Sequence, residues 1–215
     1  MSHEFYKKLL KWAVEAACEA SQDSGSHTQS VQEPYLLNEQ WVHSYVGIAI
    51  NDHLRRVYKK PKEYFVTFET CVSWIEDFFG EERGRGRKRG RLRDRQRFDV
   101  VVWSEGGQIS GLIEIKDQPI MQKYSQISDP VKLIGALRRW PKLKWAIFLF
   151  SVRTTKVMGT AGVASALAGK SKFVFDAIEG VVPEWTTSTY PRRVSGKGSQ
   201  VMWCGVLFER TKVAS

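Results

Sequence analysis

One stretch, Arg97 to Asp117, restricts the folding of this chain more than any other. It reads Arg-Phe-Asp-Val-Val-Val-Trp-Ser-Glu-Gly-Gly-Gln-Ile-Ser-Gly-Leu-Ile-Glu-Ile-Lys-Asp. Phe98 to Trp103 and Ile109 to Ile115 are rich in β-branched and aromatic residues, which predicts two strands. Gly106-Gly107 between them predicts a two-residue hairpin turn, because both positions can take positive φ. A symmetric turn sets Trp103 opposite Ser110 and Asp99 opposite Glu114. Opposed residues of an antiparallel pair share a face, and alternation adds Lys116 to it. Two carboxylates and one ammonium are therefore expected together at the open end of an apolar hairpin.

Such a grouping needs a physical reason. Like charges directly opposed on a sheet repel, and half-burial strips each of hydration. A divalent cation between them removes both problems. Mg²⁺, or Mn²⁺ in its place, is held by one or two carboxylates plus waters and substrate phosphate. A nearby lysine can orient or deprotonate a water, or steady developing phosphate charge. The plainer reading is that Asp99 and Glu114 mark solvated strand ends, with Lys116 as an ion-pair partner.

Length and charge narrow the class. At 215 residues and 42% hydrophobic content the chain can bury one sizeable core. Its net charge is +10, and the excess is local: residues 83–97 hold eight Arg and one Lys against one Asp. That run suggests a polyanionic partner. The three cysteines, Cys18, Cys71 and Cys204, are far apart among apolar neighbours. They fit buried thiols better than a disulfide framework or a zinc cluster. The N-terminus has no apolar signal-peptide core, and the strongest apolar run, Trp145 to Phe150, is too short to span a bilayer. The expectation is a cytoplasmic protein with no membrane partner. No Gly-x-x-x-x-Gly-Lys-Ser/Thr phosphate loop is present.

Periodicity predicts the remaining elements. Glu4 to Ala20 reads as an amphipathic helix with Phe5, Leu9, Trp12, Ala16 and Ala20 on one stripe, followed by a polar link. Tyr35 to Tyr58 reads as a helix capped by Asn38, with Leu37, Trp41, Tyr45, Ile48 and Ala49 as its apolar face. His43 lies one turn beyond Glu39 and is read as a surface or packing residue. Glu63 to Thr70 reads as a strand, and Cys71 to Phe79 as strand or short helix. Residues 81–96 read as a loop. Ser128-Asp129-Pro130 predicts a helix start, with Pro130 at the first helical position. Trp145 to Phe150 reads as a strand buried on both faces, which makes a strand-helix-strand crossover from the hairpin. Thr160 to Ala168 is helix-like, Phe173 to Phe175 reads as a short strand, Thr186 to Gln200 as loop, and Gln200 to Glu209 as a late buried strand.

With Asp99 on one strand and Glu114-Ile115-Lys116 on the next, in this element order, the chain resembles the PD-(D/E)XK nuclease superfamily over roughly residues 35–152. Phe98 stands where the proline of the family name would be. The resemblance implies an α/β restriction-endonuclease-like fold: an αβββαβ core and a mixed central sheet flanked by helices. The resemblance covers the core over 35–152; length and pattern give a single domain that adds an N-terminal helix and linker over 1–33, a basic loop over 80–97 and a C-terminal α/β extension over 153–215, which has no counterpart in the resemblance. The resemblance assigns Asp99 and Glu114 to the metal and Lys116 to the attack of water. Glu39 and Glu69 would be additional metal carboxylates, although Glu39 also suits a helix start by charge alone. The implied activity is metal-dependent hydrolysis of phosphodiester bonds; the resemblance does not give the substrate, and with the arginine run an endonuclease acting on DNA is the expectation. Arg83, Arg85, Arg87, Lys88, Arg89, Arg91, Arg93, Arg95 and Arg97 would grip the phosphate backbone without sequence preference. The alternatives are a non-catalytic nucleic-acid-binding or scaffold protein, or a subunit of a defence or mobile-element complex. Homodimer or partner protein stays open.

Overall fold

The computed structural model describes residues 3–27, 39–58, 64–79, 95–117, 125–154, 159–179, 186–194 and 200–209. In order these form α1 (His3–His27), α2 (Glu39–Tyr58), β1 (Tyr64–Cys71), α3 (Val72–Phe79), β2 (Arg97–Ser104), β3 (Gln108–Lys116), α4 (Ser125–Arg139), β4 (Trp145–Arg153), α5 (Thr160–Glu179), β5 (Thr186–Arg193) and β6 (Val201–Glu209). One mixed six-stranded sheet runs β1-β2-β3-β4-β6-β5. β1, β2 and β3 form an antiparallel meander; α4 then carries the chain to β4, which lies parallel to β3. β6 pairs antiparallel with both β4 and β5.

Helices cover both faces of this sheet. Val42, Val46, Ile50 and Leu54 of α2 join Leu9, Ala13 and Ala17 of α1 over Val100, Val102, Ile113, Ile147 and Leu207. Leu133 and Leu137 of α4 join Val72 of α3 and Leu167 of α5 over Val101, Leu112, Phe148 and Phe208. β4 therefore has no polar alternation: eight of its nine residues are buried. No helix among the described residues is long and apolar enough to cross a membrane.

Several expectations need correction. α1 continues to His27, because Ser21 is drawn into the packing: its hydroxyl donates to the Ala17 carbonyl and accepts the indole N–H of the buried Trp203. The buried stripe of α2 is Val42, Val46, Ile50 and Leu54, whereas Trp41 and Ile48 are 39% and 57% exposed. Of the expected face, Tyr45 and Ala49 are half-buried against the same core, Trp41 and Ile48 are turned outward, and Leu37 and Asn38 lie outside the described residues. Pro130 lies inside α4, near its start, where it removes one helical hydrogen bond. Phe173 to Phe175 continue α5, whose Val163, Leu167, Val174 and Ile178 are buried on one stripe. Thr186 to Arg193 is a strand, not a loop. β5 is the sheet edge, and an edge strand tolerates Pro191.

The hairpin combines two departures that cancel. Its connection is the three residues Glu105–Gly107, with φ of 80° at Gly106 and 72° at Gly107. Trp103 therefore faces Ile109 rather than Ser110. A bulge follows at Ser110, whose carbonyl accepts the Lys144 N–H, and pairing resumes at Val102–Gly111. Beyond that point the register is the expected one. The β2–β3 pairs end at Val100–Ile113, one step short of Asp99 and Glu114. β2 continues along β1 to Arg97, and β3 continues along β4 to Lys116. The two middle strands part at this end.

Candidate functional site

Where β2 and β3 part, a side chain takes over from the ladder. The Asp99 carboxylate accepts the Ile115 N–H at 2.6 Å. Across the other edge of β2, the pairs Phe68–Val100 and Thr70–Phe98 bracket Glu69 and set it opposite Asp99. Glu69 has φ of 49°, left-handed backbone that costs an L residue about 1–2 kcal/mol. Strain of this kind concentrates at functional positions.

Helix α2 closes the site from one face. Gly47 lets it settle onto β1, since a Cβ there would overlap the Phe68 ring. One turn earlier on the same helix face, His43 is carried over the two carboxylates. Its Nδ1 lies 3.4 Å from Glu69 Oε1 and its Nε2 3.7 Å from Asp99 Oδ2. These separations are too long for good hydrogen bonds. His43 Nε2 is buried and has no hydrogen-bond partner. One ligand atom each from His43, Glu69 and Asp99 lies within 4.8 Å of the other two.

Glu114 lies on the far lip of the opening. It is buried, with Oε2 2.6 Å from Lys132 Nζ of α4. The same ammonium donates to the Arg97 carbonyl at 2.7 Å and lies 5.0 Å from the centre of the Phe98 ring. Lys132 thus ties α4 to both parted strands. Glu114 Oε1 is buried without a hydrogen-bond partner.

Burial sets the protonation of both acids. It pushes Asp99 up to about 6, with Glu69 adding to the rise and His43, the Ile115 N–H and Lys132 opposing it. Glu114 is raised well above the usual carboxylate range, first by burial and then by Asp99, against the pull of Lys132. A buried imidazole nitrogen without a hydrogen-bond partner, set beside two carboxylates of which burial keeps Asp99 from easy ionisation, suits a cation. His43, Glu69 and Asp99 offer one ligand atom each and could together hold a metal ion.

The sequence-derived residues divide as follows. Asp99, Glu114 and Glu69 come to the opening. Lys116 is half-buried two residues beyond Glu114 and pairs with Phe150, while Lys132 is the cation placed on Glu114. The neighbouring Asp117 is engaged by Arg153 and Ser151. Glu39 opens α2, and its side chain lies outside the described residues, as do positions 83–94 of the basic run. Arg95 and Arg97 are exposed. Two residues escaped the sequence reading. His43 had a signal, since it adjoins the aliphatic stripe Val42, Val46, Ile50, Leu54. Lys132 had none, being one polar position among others on an amphipathic helix. No family model, curated protein or solved structure matches this chain.

Proposed function

We propose that this chain is a metal-dependent phosphodiesterase, an endonuclease acting on DNA, with a restriction-endonuclease-like core running from α2 to β4. The reading rests on one observation above all: Asp99 and Glu114 stand on opposite lips of parted strands, both kept from easy ionisation. The element order α2-β1-β2-β3-α4-β4 and the parallel pairing of β3 with β4 support it. The net charge of +10 and the arginine run support a nucleic-acid substrate.

Each residue has a part in hydrolysis. Asp99, with Glu69 and His43 beside it, would hold the cation, Mg²⁺ or Mn²⁺. When bound, such an ion neutralises the scissile phosphate and acidifies a water. Ile115 N–H fixes the Asp99 carboxylate in place. Glu114 Oε1 has no partner and is a stronger base than an ordinary carboxylate, so it suits taking a proton from the attacking water. Lys132 holds Glu114 through its other oxygen. Lys116 would steady the charge growing on the phosphate.

Pure protein and supercoiled plasmid test the reading in Mg²⁺ or Mn²⁺, with EDTA as control. Nicked and then linear DNA is expected, with a loss of about 10²-fold or more in Asp99→Asn and Glu114→Gln. DNA bound but intact under every metal would make the chain a binding or scaffold protein instead. Cleavage that persists in EDTA, or in Glu114→Gln, would remove these residues from the chemistry.

A further inference from the structure

The positions of His43 and Lys132 bear on which ion such a site would take, and how many. Between His43, Glu69 and Asp99 the gaps of 3.4 and 3.7 Å are wide for hydrogen bonds, yet narrow for an unshared buried nitrogen beside two acids. An ion shared by the two carboxylates and taken by the imidazole through Nε2 would satisfy the nitrogen that has no hydrogen-bond partner. It would also give the strained Glu69 backbone a purpose, since φ of 49° brings that carboxylate to the group. The Glu69 side chain is 44% exposed, which leaves a path for an ion from solvent. His43 and Asp99, at 8% and 16%, form the floor.

Glu114 is different. A cation already sits on it, the Lys132 ammonium at 2.6 Å, and that cation is anchored independently to the Arg97 carbonyl. A second divalent ion there would have to expel a tethered charge.

We propose that the chain binds a single divalent ion on His43, Glu69 and Asp99, that the imidazole makes it a first-row transition ion such as Mn²⁺ or Co²⁺ in preference to Mg²⁺, and that Lys132 serves as the second cation. Mg²⁺ favours an all-oxygen shell, whereas imidazole nitrogen favours transition ions. The hydrolase reading supplies what the ion would do; its seat and its class are tested without that reading.

The test is calorimetric titration of the full chain with Mn²⁺ and with Mg²⁺, in the absence of nucleic acid. One equivalent of Mn²⁺ is expected, bound roughly tenfold or more tighter than Mg²⁺. His43→Asn should lower Mn²⁺ affinity by roughly tenfold or more and remove the preference over Mg²⁺. The nitrogen-ligand signature in the visible spectrum of the Co²⁺ complex should vanish with it. Glu69→Gln, on an exposed side chain, lowers the affinity without the folding risk of a buried change. Glu114→Gln should leave Mn²⁺ affinity within about threefold, even where cleavage is lost. Two equivalents of Mn²⁺, equal affinity in His43→Asn and Glu69→Gln, or loss of binding in Glu114→Gln would each overturn the proposal. Binding as proposed without cleavage in any metal sinks the hydrolase reading and leaves the seat. Cleavage indifferent to His43 does the reverse.

Discussion

The two ends of the β2–β3 hairpin are made from the same alternating chain and end in opposite states. At the turn end, Trp103, Ile109 and Leu112 are buried in one apolar cluster, and the ladder is intact up to the bulge. At the open end the ladder stops, and a carboxylate takes the Ile115 N–H. The turn end spends its burial on stability. The open end instead buries acids where water screens them poorly, which lowers stability. Lys132, reaching in from α4, is bonded to both strands at the open end.

Breaking that tether should have the largest effect on stability. Lys132→Met leaves Glu114 buried without its cation, and a loss of roughly 3–5 kcal/mol is expected at pH 8. At pH 5 the loss should shrink, because Glu114 can take up a proton instead. Urea unfolding at the two pH values measures both. Equal losses would mean that Lys132 acts through its packing on Phe98 alone.

Asp99 comes next. Its carboxyl titrates near 3.8 in the unfolded chain and about 6 in the folded one. The folded state therefore binds the extra proton between these values. Stability is full below the lower one and falls as pH rises through the higher, by on the order of 2–3 kcal/mol without metal. His43, Glu69, Lys132 and Glu114 all face Asp99, and Glu114 adds a loss of the same sign. Asp99→Asn keeps an acceptor for Ile115 N–H but removes the titration, so it should flatten the slope and stabilise the metal-free protein at pH 7.5. A slope unchanged in Asp99→Asn would assign the effect elsewhere.

The smallest effect belongs to the turn end. Gly106 has φ of 80° and open space where a Cβ would go. Gly106→Ala should cost only the backbone term, about 1 kcal/mol, and leave metal binding and cleavage untouched. A loss of metal binding in this variant would show that the two ends are coupled through the bulge and do not behave independently.

Much of this was legible in the residues. The apolar runs around 98–103, 109–115 and 145–150 could be little else than strands, and all three are. The Asp99–Glu114 register also came out as read, although by way of a longer turn and a compensating bulge that no two-residue pattern reveals. The mixed six-stranded sheet with helices on both faces agrees with the expected class, and the late buried strand is β6 as read; its edge strand β5 did not follow from pattern. Phe173-Val174-Phe175 carries strand propensity, yet burial of Val174 and Ile178 with Leu167 keeps it helical. Thr186 to Arg193 looks like loop and becomes a strand because β6 offers it an edge.

By itself the sequence determined most of the local elements and the two acids at the open end of the hairpin, since side-chain branching, alternation and turn glycines act within a few residues. Tertiary structure alone decided which groups meet those acids. His43 arrives from α2 because Gly47 and the Val42–Leu54 stripe seat that helix on β1, Glu69 because β1 pairs with β2, and Lys132 because α4 crosses the opening on its way to β4. Such meetings depend on how separate elements pack, and no short-range preference encodes the angle at which a helix comes to rest on a sheet.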